Sequence, residues 1–287
     1  MTTPAYDLYL PQSPCTGVVF ASPHSGRDYS DDFLHRSCLD SQRLRSSEDA
    51  FVDELVTAAP DLGAPLLTAR TPRAYVDLNR SEDELDPALI DGMRRGSHNP
   101  RVSSGLGVIP RVVANGRAIY RGKISKIEAE NRIARYWRPY HAALDALLAQ
   151  QRANFGRAVL IDCHSMPHEA IDTYSSQANK VPEVVLGDRF GAAAQSDVMD
   201  AVELAFRNEG FRVSRNTPFA GAYISQRYGR PGIDQHVIQV EIDRSLYMHE
   251  PLLEKRTDFP HFQERITRVM AAIVQLAPGQ TMPLAAE

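Results

Sequence analysis

Two histidines stand just beyond apolar runs, His24 after "VVFASP" and His164 within "VLIDCHSMP". The apolar part of each run reads as a buried strand, and a core has little use for an imidazole. Either ring alone could be hydrogen-bonded structure. Two such histidines with one acid, however, make a three-ligand zinc site that leaves one position for water. The acid is Glu48 or Asp49, adjacent in "SSEDAFVDEL". Both fall at an expected helix start, where a carboxylate serves equally as a cap or against the helix dipole. Asp162 shares a strand face with His164 and is placed either to orient that ring or to cap a turn. Glu241 lies inside "VIQVEI", where a buried carboxylate is costly unless it is paired or used. A salt bridge to Arg244 is its structural alternative. Cys163 reads as a small core residue rather than a nucleophile. The chain has no HExxH, and its HxxE, "HFQE" at 261–264, follows no strand and reads as a solvated helix face.

The elements that must position these groups alternate between short apolar strands and amphipathic helices. Strands are expected at 17–22, 64–69, 74–79, 158–164, 211–216 and 236–247. Helices are expected at 52–63, 197–210 and 260–277. The strongest helical pattern covers 125–156, with a break or kink at Pro139 and a stop at Gly156. Residues 81–117, rich in Gly, Ser, Pro and charge, form a long surface excursion from a single domain spanning 1–287. The alternation predicts an α/β fold, a three-layer sandwich around a central mixed, largely parallel sheet. Ligands of such sheets bind beyond the carboxyl ends of strands, which is where His24 and His164 fall.

Bulk properties exclude several classes. The formal net charge of -4 gives no general attraction to nucleic acid or anionic lipid. Three cysteines without CxxC spacing suggest neither a disulfide framework nor a thiolate metal site. The first residues, "MTTPAYDLYLPQSP", lack the pattern of a secretory signal, and no apolar run is long enough to span a membrane. The expectation is a soluble cytoplasmic protein whose partner is a small molecule; oligomeric state is left open.

Taken together and in order, "SPHSGRDY", "EDAFVDEL", "RAYVDLNRSEDE", "IYRGKIS", "PYHAAL", "IDCHSMP", "GAYISQRYGRPGID" and "IQVEIDRSLYM" resemble the motifs of N-formylglutamate amidohydrolases, from about residue 15 to 275. The resemblance implies a fold like that of the zinc carboxypeptidases and one zinc ion. It also implies release of formate from N-formyl-L-glutamate, the last step of one histidine-degradation route. Carried over by motif, His24, Asp49 and His164 are the metal ligands and Glu241 is the catalytic carboxylate. The chain departs from the family pattern at Gly221, Ala222, Tyr223 and Ile224, where Gly-Gly-Tyr-Thr is expected, and in detail at "VEIDRS". An amide is a poor electrophile, so its hydrolysis needs activated water and a stabilised oxyanion. Zinc can supply both, while Glu241 moves the proton from water to the leaving amine. The two carboxylates of the substrate call for cationic partners, for which Arg80, Arg227 and Arg244 are candidates, with Asn79 and Tyr223 as neutral donors. Two other readings compete. One is a related zinc amidohydrolase acting on another N-acyl amino acid or a short cell-wall peptide. The other is a non-catalytic binding protein, against which the joint presence of His24, Asp49, His164 and Glu241 argues.

Overall fold

The computed structural model describes residues 4–94, 99–172 and 181–277. Seven short, mostly buried runs form one sheet: β1 (Tyr6–Tyr9), β2 (Val18–Ser22), β3 (Leu66–Ala69), β4 (Ala158–Met166), β5 (Val184–Gly187), β6 (Val213–Arg215) and β7 (Gln235–Asp243). Their order across the sheet is β1-β3-β2-β4-β7-β5-β6. The four central strands β3, β2, β4 and β7 are parallel. β1 is antiparallel to β3, and β5 is antiparallel to β7 with β6 parallel to β5. From β2 the chain crosses first to β3 on one side and later to β4 on the other. The sheet therefore has a switch point at the carboxyl ends of β2 and β4.

Helices cover both faces, as the expected three-layer α/β architecture requires. On one face, Val159, Ile161, Ile238 and Val240 pack under α4 (Ser196–Asn208), α6 (Phe259–Ile273) and the short α1 (Val52–Leu55). On the other, Leu160 and Val237 pack under a long helix built of α2 (Lys126–Arg132), a π-helical turn (Ile133–Trp137) and α3 (Arg138–Phe155). Ser125 caps its start by accepting from the Glu128 N–H, and Gly156, at φ 76°, ends it in the left-handed region. The short α5 (Tyr223–Tyr228) joins this second layer through Ile224 and Tyr228. No helix among the described residues is long and apolar enough to cross a membrane.

Local pattern and structure part in several places. Residues 74–79 are turns rather than a strand. Val76, Asp77, Leu78 and Asn79 are all buried, and the Asp77 side chain accepts from the Asn79 N–H and closes a turn. The helix expected at 52–63 is helical only over Val52–Leu55 and continues as turns. No break occurs at Pro139. The Arg138 N–H reaches back to the Ile133 carbonyl, and the widened turn gives room to a ring that would otherwise strike the preceding turn. The strand expected over 236–247 ends at Asp243, and β1 and β5 were not anticipated. The 81–117 stretch holds a short helix, Pro100–Ser103, and, at its end, a two-stranded ladder joining Val112–Val113 to Arg117–Ala118.

Candidate metal and active site

Strand alternation decides which side chains meet. On β4, Ala158, Leu160, Asp162 and His164 share one face; on β7, Val237, Gln239 and Glu241 share the same face. The register sets Asp162 beside Gln239 and His164 beside Glu241. His24 arrives from the turn after β2. Gly26 holds that turn against the β3 exit, since a Cβ there would lie 2.1 Å from the Thr71 carbonyl oxygen. The Asp49 N–H donates to the His24 carbonyl at 3.0 Å, so the two loops are tied through their backbones.

One ligand atom from each of His24, Asp49 and His164 lies within 4.8 Å of the others, and all three residues are buried. His164 Nδ1 is 2.9 Å from Asp49 Oδ2, and His24 Nδ1 is 3.5 Å from the same oxygen. His24 Nδ1 is buried without a hydrogen-bond partner. The far nitrogens are engaged elsewhere. His24 Nε2 lies 2.7 Å from Asp77 Oδ1, and Asp77 Oδ2 accepts from Arg73 Nε at 3.0 Å. His164 Nε2 lies 3.2 Å from Asn79 Nδ2. It also lies 3.1 Å from Asp162 Oδ2, a charge contact not aligned as a hydrogen bond. Asp49 Oδ1 accepts from Arg244 Nη2 at 2.9 Å, and Arg244 Nε donates to Ser165 Oγ at 3.0 Å. The neighbouring acid, Glu48, turns away to accept from Arg45 and Tyr29. Asp49 is thus the acid that faces the histidines.

Burial disfavours every charge in this cluster, and the pairing decides which charges survive. Burial opposes the anion of Asp49, yet the hydrogen bond with His164 and the nearby His24 ring hold its carboxyl well below the usual range. Burial opposes the cation of His164, yet Asp162, Asp49 and Glu241 hold its pKa well above that of an ordinary imidazole. Glu241 goes the other way. Burial pushes its carboxyl up to about 7, with His164 opposing and Asp49 assisting. Gln239 Nε2 donates to Glu241 Oε1 at 2.9 Å, fixing that oxygen.

A cleft of about 650 Å³ opens over the cluster. It gathers His24, Asp49, His164, Glu241, Asn79, Arg80 and Arg244, together with Arg73, Asp77 and Gln239. Arg80 is anchored by the carbonyls of Asn79 at 2.7 Å and Leu106 at 3.1 Å, while its own carbonyl accepts from Trp137 Nε1 at 2.9 Å. Tyr223 and Arg227 do not line the cleft. Arg227 is exposed on the outer side of α5 and donates to the Tyr223 hydroxyl at 2.9 Å. The "GAYI" turn reaches the site through its backbone instead. The Ala222 N–H donates to Gln239 Oε1 at 3.0 Å and the Ile224 N–H to Asn79 Oδ1 at 2.8 Å. Sequence reasoning missed Asp77, Arg73 and Gln239 as parts of the site. The signal for Gln239 was its place two residues before Glu241 on one strand face; the strand reading of 74–79 concealed Asp77.

The family model described as N-formylglutamate amidohydrolase matches residues 16–248. An N-formylglutamate deformylase from Pseudomonas aeruginosa is 28% identical over 237 residues, covering 81% of this chain and 82% of that protein. One from Pseudomonas putida is 27% identical over 236 residues, with coverage of 81% and 82%. The crystal structure of an N-formylglutamate amidohydrolase from Ralstonia eutropha JMP134 superposes with a TM-score of 0.88 at 34% identity, over 96% of this chain and 99% of that one. A gene product from Agrobacterium tumefaciens shares the fold, with a TM-score of 0.63 at 14% identity over 94% of this chain and 96% of that one.

Proposed function

This chain belongs to the N-formylglutamate amidohydrolase family, and from that premise we propose that it hydrolyses N-formyl-L-glutamate to formate and L-glutamate, with one divalent metal ion held by His24, Asp49 and His164. The observation that carries the reading is the unpartnered, buried His24 Nδ1, which faces, together with His164 Nδ1, a single oxygen of Asp49. Two imidazole nitrogens and a carboxylate oxygen suit zinc. Asp77 and Asp162 stand behind the two rings, where carboxylates fix the tautomer and raise the basicity of the ligating nitrogen. The family resemblance extends the proposal to zinc as the ion and to the last step of a histidine-degradation route. The chemistry such an ion supplies is Lewis acidity toward the formyl oxygen and toward water.

The remaining work belongs to the chain's own residues. Glu241 takes a proton from the attacking water as the new C–O bond forms at the formyl carbon. It returns that proton to the departing nitrogen as the C–N bond breaks. Its burial disfavours the anion, which favours taking up that proton. Gln239 keeps one Glu241 oxygen occupied, which directs the other to the proton. Arg80, fixed by two carbonyl contacts, presents its guanidinium toward a substrate carboxylate, while Asn79 borders the cleft with its amide engaged by His164, Gln239 and the Ile224 N–H. The Arg244 guanidinium neutralises the outer oxygen of Asp49 and also borders the cleft.

Formate release from N-formyl-L-glutamate, set beside N-formyl-L-aspartate and acetate release from N-acetyl-L-glutamate, tests the reading. We expect the first to be fastest and to vanish on chelation. A faster rate with either alternative would transfer the proposal to another N-acyl amino acid.

A further inference from the structure

Four arginines line the cleft, and three are engaged by the protein itself. Arg244 donates to Asp49 and Ser165, Arg73 to Asp77, and Arg80 to the carbonyls of Asn79 and Leu106. Arg101 differs. Among the described residues, no carboxylate or carbonyl accepts from its side chain. Its backbone, by contrast, is anchored. Its N–H donates to Asn99 Oδ1 at 2.9 Å in the short Pro100–Ser103 helix, and its carbonyl accepts from the Leu106 N–H at 2.8 Å. Arg101, exposed and without an acceptor among the described residues, thus borders the cleft from a backbone held in place.

Its setting is cationic. Burial pushes the Arg80 pKa down, and although Asp77 opposes, Arg73 and Arg101 push it further the same way. Asp77 and Glu84 answer part of that charge, and the two guanidinium groups of Arg80 and Arg101 still act on each other across one wall of the cleft, where an anion between them relieves the repulsion. A free guanidinium fork receives a carboxylate through two parallel hydrogen bonds. The substrate of the proposed reaction has two carboxylates, and the anchored Arg80 can serve only one of them.

We propose that Arg101 is a specificity-determining residue that receives the side-chain carboxylate of the N-acyl amino acid, selecting acidic over neutral side chains. The inference rests on the proposed deformylase reading and deepens it.

The test compares N-formyl-L-glutamate with N-formyl-L-glutamine, which has nearly the same shape but a neutral side chain, in the metal-loaded wild type and in Arg101→Met and Arg101→Lys. Arg101→Met is expected to lower kcat/KM for the glutamate substrate by about ten- to a hundredfold, mainly through KM. The glutamine substrate should change by less than about threefold, and Arg101→Lys should recover part of the preference. Equal losses on both substrates, or a wild-type preference surviving in Arg101→Met, overturn the assignment. If the wild type does not hydrolyse N-formyl-L-glutamate at all, the proposed function falls first and this inference with it.

Discussion

The two faces of β4 and β7 are made from the same two strands and behave as different materials. One face carries Val159, Ile161 and Cys163 beside Ile238, Val240 and Ile242, an apolar stretch with His236 at one end and Ser165 at the other, closed by α4 and α6. The other begins with Ala158, Leu160 and Val237, then turns into Asp162 with Gln239 and His164 with Glu241. Side-chain alternation keeps the two sets apart, and a one-residue slip would exchange them. The dry face holds the strands in register; the mixed face uses that register to aim polar groups at the floor of the cleft.

Substitutions on each face can break this division. The largest effect belongs to His164→Ala, which removes a proposed ligand: stoichiometric metal should be lost and formate release should fall by at least about 10⁴-fold, out of the ~10⁶ or more that separates enzymes from uncatalysed reactions. Metal bound with unchanged affinity would place the site elsewhere. Next is Glu241→Gln on the same face. It should keep the metal and lower kcat by about 10²–10⁴-fold, because an amide cannot move the proton. Full kcat would leave the reaction without its base, and lost metal would make Glu241 a ligand. Across the strand, Ile161→Ala should cost about 2–5 kcal/mol of stability in denaturant unfolding, with kcat/KM held within about threefold. A variant of normal stability but poor catalysis would mean that the faces do not divide the labour.

The smallest effect sharpens the picture under the mixed face, where His141 is buried beneath Leu78 and Tyr228. Burial pushes its pKa down to about 3. The unfolded chain therefore takes up a proton below about pH 6.5 that the folded chain refuses. This contribution to stability is complete above about pH 6.5. It is lost as pH falls toward about 3, at no more than about 1.4 kcal/mol per pH unit. His141→Gln should flatten that part of the stability profile, and an unchanged slope would show that other groups set it.

Much of the site was legible because strand chemistry is local. A histidine or glutamate inside an apolar run is conspicuous whatever surrounds it, which is why His24, His164 and Glu241 could be named. The choice between Glu48 and Asp49 was not local, because it depends on Arg45 and Tyr29 drawing one acid away and on Arg244 and the histidines drawing in the other. Residues 74–79 carry apolar Val76 and Leu78 as a strand would, but Asp77 and Asn79 are buried with them, in turns rather than in a ladder. Tyr223 and Arg227 sit in a matched motif, yet the motif contributes its backbone; no property of a side chain announces that. β1 and β5 escaped because four residues carry too little pattern to separate a strand from a loop.

The widened turn that admits Pro139 also contains Trp137, the single tryptophan of the chain. Its indole is bonded to the carbonyl of Arg80, and its ring centre lies 4.0 Å from that of His141. In optical terms, all indole emission from this protein originates one residue's width from the cleft wall. The molecule carries its own fluorophore bonded to the backbone of Arg80, so a carboxylate bound at the proposed Arg80 contact should change its emission without a label.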